Sequence, residues 1–100
     1  MPVYVMLSSL TDKGREAIND DPESLRGINK EVELLGAKII DQFAVLGQYD
    51  FVNIVEAPSN EVMARLSTRL SAKGNVHPMT MAAIPLDNLI EALKSRETPW

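Results

Sequence analysis

The sequence predicts an α+β fold of βαββαβ order with a short helix added at its C-terminal end. Three features predict it: β-rich runs that open and close the order, apolar helical stripes between them, and a glycine-first turn joining the middle strands.

Val3–Leu10 is rich in β-formers and runs into Thr11-Asp12. Such residues favour helix N-caps, because a short oxygen-bearing side chain meets the first free N–H groups. A helical stretch from Asp12 to Ile18 follows, weakened by Gly14. Asn19-Asp20-Asp21-Pro22 reads as a break. Asp21 is placed to cap the restart, and Pro22 suits a first helical position, where its missing N–H has no helical partner anyway. Leu25, Ile28, Val32 and Leu35 then recur at helical spacing as one apolar stripe, which Gly36 ends as a C′ glycine.

Ala37–Leu46 and Tyr49–Ala57 read as strands joined by Gly47-Gln48, a type II′ turn whose twist matches its strands. A two-residue turn sets Leu46 opposite Tyr49, Ala44 opposite Phe51 and Gln42 opposite Asn53. On the alternate face Asp50, Val52, Ile54 and Glu56 then oppose Val45, Phe43, Asp41 and Ile39. Pro58-Ser59 opens a second helix with Ser59 as N-cap and Val62, Met63, Leu66 and Leu70 on one face; Lys73-Gly74-Asn75 stops it. Val76–Ile84 is the last strand, and Pro85 precedes an amphipathic tail helix carrying Leu86, Leu89, Ile90 and Leu93. Right-handed crossovers put both main helices on one side of a four-stranded antiparallel sheet of order 4-1-3-2, the ferredoxin-like arrangement.

One hundred residues make a single domain, 1–100, able to bury roughly two-thirds of its unfolded surface. Without cysteine there is no disulfide, zinc-thiolate site or thiol nucleophile. The net charge is −4 and the basic residues are scattered, Lys13, Arg15, Arg26 and Lys30 lying among acids. Nucleic acid is therefore not an expected partner, since it needs clustered cations. No run has the length of a membrane span, and the apolar start lacks the basic region of a signal peptide. A cytoplasmic protein is expected.

The central strands are apolar on both faces. Val3, Val5 and Leu7 alternate with Tyr4 and Met6, and Val52 and Ile54 alternate with Phe51 and Val55. Two helices cover one face only, so the other needs a cover. A second copy of the chain is the expected one, giving a homodimer or higher homo-oligomer. The tail helix folded across the sheet is the rival cover.

Gln42 and Asn53 place two amides opposite each other among apolar neighbours. They read as a pocket floor that orients a polar group of a small-molecule ligand, as a pair bonded to each other, or as amides lying near a solvated edge. His77, the sole histidine, is a candidate base because an unperturbed imidazole titrates near neutrality, but it has no company for a metal site and sits at a strand start. Met6, Met63, Met79 and Met81 invite a cofactor-pocket reading, but core packing is the better reading for most of them, since methionine fills irregular gaps. Thr80, between two of them, is a further candidate for a cavity wall. No phosphate loop, nucleophile elbow or paired-carboxylate motif appears, and no metal or cofactor is expected.

Gly47-Gln48-Tyr49-Asp50, followed by Phe51-Val52-Asn53-Ile54-Val55-Glu56-Ala57-Pro58, resembles the GYD domain family, named for the residues matched here by Gly47, Tyr49 and Asp50. The first strand running into Ser9-Leu10-Thr11, the Leu35-Gly36 helix end and the Gly74 stop also resemble it, to about residue 84. The resemblance implies a ferredoxin-like fold of the dimeric α/β-barrel group, whose wider membership includes cofactor-independent monooxygenases, haem-degrading enzymes and ligand-sensing modules. None of their catalytic motifs is matched. For the motif residues a structural role is also open: Asp50 tying down the hairpin, and Tyr49 packing beside Leu46 with its hydroxyl at a polar rim.

Three functions are compatible with these features. The first is a non-enzymatic, self-associating domain binding a small, largely apolar ligand between sheet and helices. The others are a cofactor-independent oxygenase or isomerase and a purely structural interaction module.

Overall fold

In a computed structural model, which describes residues 1–95, the chain runs β1 (Val3–Leu10), α1 (Asp12–Asp20), a 3-10 turn (Pro22–Arg26), α2 (Gly27–Leu34), β2 (Lys38–Ala44), β3 (Phe51–Glu56), α3 (Asn60–Ala72), β4 (Val76–Ala83) and α4 (Leu86–Lys94). The sheet order is β2-β3-β1-β4, all neighbours antiparallel. This is the predicted ferredoxin-like order read from the other edge.

The predicted caps form at two helices. Thr11 accepts from the N–H of Gly14, and Ser59 from that of Val62. Gly36 takes φ +80°, the left-handed conformation a C′ position requires. The restart after Asn19 differs from expectation. Asp21 makes no side-chain cap, and Pro22–Arg26 winds as a tight 3-10 turn before α2 begins at Gly27. Leu25 and Ile28 thus belong to separate elements and stay half-buried, while Val32 reaches the core.

The hairpin register is as expected near the turn: Ala44 faces Phe51, Phe43 faces Val52 and Gln42 faces Asn53. Ladder pairing ends earlier than predicted, so Val45–Asp50 is loop, held by Val45 N–H on the Asp50 carbonyl at 2.8 Å with Gly47 at φ +127°. A bulge at Ile40 then shifts the far end by one residue. Ile39 faces Val55 and Lys38 faces Glu56, in place of the expected Ile39–Glu56 pair.

Tyr4, Met6, Val55 and Ala57 meet Val32, Met63, Leu66, Leu70 and Val76 in the core between the sheet and its helices. Only Met6 and Met63 of the methionines are core residues. Met79 and Met81 stand on the opposite sheet face, 42% and 41% exposed, which corrects the packing expectation for that pair. α4 does not fold across this face. It buries none of its residues, and the molecule measures 58 × 29 × 21 Å. Its radius of gyration, 16.1 Å, exceeds the roughly 13 Å of a compact chain this long. Among the described residues no helix is long and apolar enough to cross a membrane.

Candidate functional site

The sheet presents two surfaces of different kinds. On the helix side, the 3-10 turn and α2 leave a crevice above β3. One lobe, about 180 Å³, is bounded by Leu10, Gly14, Ile18 and Asn75. A second, also about 180 Å³, is bounded by Met6, Ser8, Gln42 and Asn53. Leu25, Ile28, Phe51, Leu70 and Val76 line both lobes, so the crevice is continuous. Its origin is local. The proline-led 3-10 turn carries Leu25 out of line with the α2 stripe, and half-exposed Leu25 and Ile28 roof the space without filling it.

Ser8 and Asn53 are the two buried polar residues in its lining, and the Asn53 amide is the one with an orphaned atom. It is 4% exposed, yet its Oδ1 has no hydrogen-bond partner among the described residues. An unmet buried acceptor costs about 1–3 kcal/mol, so this one is a costly choice for a core. Gln42 stands directly opposite but does not relieve it. The Gln42 Nε2 donates one of its two N–H groups to Asn29 Oδ1 at 3.2 Å on the exposed rim, and no hydrogen bond joins Gln42 to Asn53 Oδ1 among the described residues. Asn75 Oδ1, at the other lobe, is likewise buried and unpartnered among the described residues.

The remaining sequence candidates lie elsewhere. Thr80 faces α3, its hydroxyl 2.8 Å from that of Ser67, beside a separate hollow under Tyr4 and Asn60. It therefore shares no cavity with Met79 and Met81. His77 is exposed, opposite Ser9, on the face away from Asn53. Tyr49 sends its hydroxyl to Met79 Sδ at 3.5 Å. Leu46 is fully exposed, so the expected Tyr49–Leu46 packing is replaced by this reach onto β4. Asp50 does tie down the hairpin: its Oδ2 accepts from Leu10 N–H at 2.7 Å, and its own N–H donates to the Ser8 carbonyl at 2.8 Å.

The second surface is the helix-free face. Phe43, Val52, Leu7 and Met79 form one apolar row across all four strands, with Ile54, Val5 and Met81 in the next. Phe43 is 56% exposed. Asp41 and Glu56 rim the face, paired in register with Ile54 and Lys38.

The GYD domain model matches residues 4–93, nearly the whole of this fold and both surfaces. The chain belongs to the GYD domain family. Gly47, Tyr49 and Asp50 of this GYD domain are the residues that close the hairpin onto β1 and β4. A Thermus thermophilus protein named "Glutamine synthetase and cystathionine beta-lyase binding protein" is 44% identical over 95 residues, covering 94% of this chain and 100% of the relative. Among solved structures, FFRP-DM1 superposes with a TM-score of 0.60 at 17% identity, covering 84% of this chain and 100% of that one. TTHA0845 from Thermus thermophilus gives 0.54 at 18%, over 85% and 95%. At such identities these two establish the GYD domain's fold and nothing further.

Gly14 escaped sequence reasoning, which treated it only as a weak helix residue. A Cβ there would stand 2.0 Å from the Asn75 carbonyl oxygen. Glycine is needed because α1 runs against the start of β4, where Thr11 N–H meets that same carbonyl at 3.0 Å. A glycine just inside a capped helix was the available signal.

Proposed function

We propose that this GYD domain is a non-enzymatic binding module. It works as a homodimer or higher homo-oligomer docked through the helix-free sheet face, and it holds a small, largely apolar ligand in the crevice on the helix side. The uncovered row Phe43–Val52–Leu7–Met79 carries this reading. Apolar side chains spanning the full width of a sheet, with no described element of their own chain above them, are the pattern of an interface core. Leu86, Leu89, Ile90 and Leu93 of α4 add an equally uncovered stripe. The relative named for binding two enzymes supports a role in holding other proteins, with the assembled module as the platform.

The alternative, a cofactor-independent oxygenase or isomerase, has the buried amide of Asn53 in its favour. Its other sequence candidate, His77, stands across the sheet from the crevice, so the two cannot act on one substrate there.

Native mass spectrometry and light scattering test the assembly. The wild-type chain is expected as a dimer or larger. The double variant Phe43→Asp/Met79→Asp, altered only at exposed positions, is expected as a folded monomer with an unchanged circular dichroism spectrum. A monomeric wild-type chain at tens of micromolar would overturn the proposal.

A further inference from the structure

The crevice has one wall unlike the others. Leu10, Phe51, Leu70 and Val76 belong to the sheet and to α3, whereas Leu25 and Ile28 belong to the segment Pro22–Leu34, the 3-10 turn followed by α2. We infer that this segment is a hinged lid over the crevice, latched to α3 by Glu31 on Lys73 and Arg69. Its use as a ligand entry rests on the ligand-binding reading above.

The segment is lightly held. The 3-10 turn buries none of its residues, and α2 buries only Val32. Among the described residues, no backbone hydrogen bond ties Pro22–Leu34 to a strand or to α3. The remaining ties are polar and lie at the surface. Lys73 Nζ donates to Glu31 Oε1, Arg69 Nε stands 3.7 Å from Glu31 Oε2, and Gln42 Nε2 donates to Asn29 Oδ1 at 3.2 Å. Exposed pairs of this sort hold a segment weakly. A segment with few buried apolar contacts opens before the rest of its domain does.

The latch lies at the crevice itself. Lys73 lines one lobe and also holds Glu31, which follows Ile28 by one helical turn. Two joints flank the segment. Asp21 has φ −142° and ψ 87°, outside the helical region, and Gly36 has φ +80°. Residues at element ends absorb the backbone rotations of a hinge. Once released from α3, a helix of eight residues is too short to persist in water, so opening also frees its amides.

Two measurements at neutral pH test this. Hydrogen exchange on the unaltered chain is expected to run roughly tenfold faster or more in α2 than in β1 and β3. Its urea dependence is expected to be shallower, since local opening exposes less surface than unfolding. In Glu31→Gln the α2 rate is expected to rise about fivefold further. The second measurement uses a single thiol, which a chain without cysteine allows. Leu70→Cys places it on the crevice wall, and Leu66→Cys, in the core outside the lining, reports global unfolding. Iodoacetamide is expected to label the first well before the second. Exchange in α2 no faster than in β3, or unmoved by Glu31→Gln, overturns the lid. Equal labelling of the two thiols with the same urea dependence overturns it too. Saturating toluene is expected to slow labelling at position 70. If toluene changes nothing while exchange and labelling run as described, the lid stands and the ligand-binding reading falls.

Discussion

Asp50 holds the backbone N–H of Leu10 at 2.7 Å from a position forty residues further along the chain. That bond joins the loop after β2 to the end of β1, where the chain leaves the sheet for α1. Arg15 of α1 lies 3.8 Å from the same carboxylate oxygen, a long and exposed pairing that adds little.

Replacing Asp50 by Ala should therefore destabilise the fold by about 2 kcal/mol, the worth of a charge-assisted bond whose donor is left part-buried. Asp50→Asn keeps an acceptor and should recover about half of that. Urea denaturation reads both. A loss near zero in Asp50→Ala would show that the carboxylate does not carry the contact.

Gly14→Ala offers a test in which two effects oppose. In a free helix alanine is favoured over glycine by about 1 kcal/mol. Here the new methyl group meets a backbone carbonyl at 2.0 Å, and backbone cannot rotate away. Overpacking of this kind costs about 1–3 kcal/mol, so the variant should melt below the wild-type chain. A higher melting temperature would mean that α1 and the β4 start are not so closely apposed.

Asn53→Leu should raise stability by about 1 kcal/mol. It removes a buried acceptor that has no partner and replaces the amide with an apolar group of the same branching, whose extra volume the adjoining crevice can take up. Thermal denaturation without ligand is the measurement, and a clear loss would indicate that Asn53 is already satisfied.

Glu31 on α2 supplies a pH-dependent term. A hydrogen bond from Lys73 is the main reason its carboxyl titrates below the ordinary glutamate value; partial burial opposes this, and the charges of Lys73 and Arg69 reinforce it. A folded-state value below the unfolded one gives stability that is present above the unfolded value and lost as pH falls through the folded one. The advantage of wild type over Glu31→Gln should hold at neutral pH and shrink as pH drops below about 4.3. Urea midpoints across that range decide it, and a gap that stays constant on acidification would exclude the mechanism.

The element order was legible because its signals are local: caps at Thr11 and Ser59, glycines at Gly36 and Gly74, and an even-length loop around Gly47. Gln42 opposite Asn53 followed from that loop alone. The Ile40 bulge was not legible, since nothing in Lys38-Ile39-Ile40-Asp41 distinguishes an inserted residue from an alternating one. The 3-10 turn was hidden for a similar reason, because Leu25 keeps helical spacing to Ile28 although the backbone between them changes its winding. Strand parity could have separated Thr80 from Met79 and Met81, and His77 from Asn53, because side chains one residue apart point to opposite faces. The orphaned state of Asn53 depends on where Gln42 and α2 come to rest, which is a tertiary matter.

The bulge has one more effect. It lies on β2, one border of the sheet, while Pro78 lies on β4, the other. A kinked ladder on one side and a missing N–H on the other both discourage a foreign strand from adding on. A chain with this much grease in view is thereby steered away from ribbon-like growth through its margins.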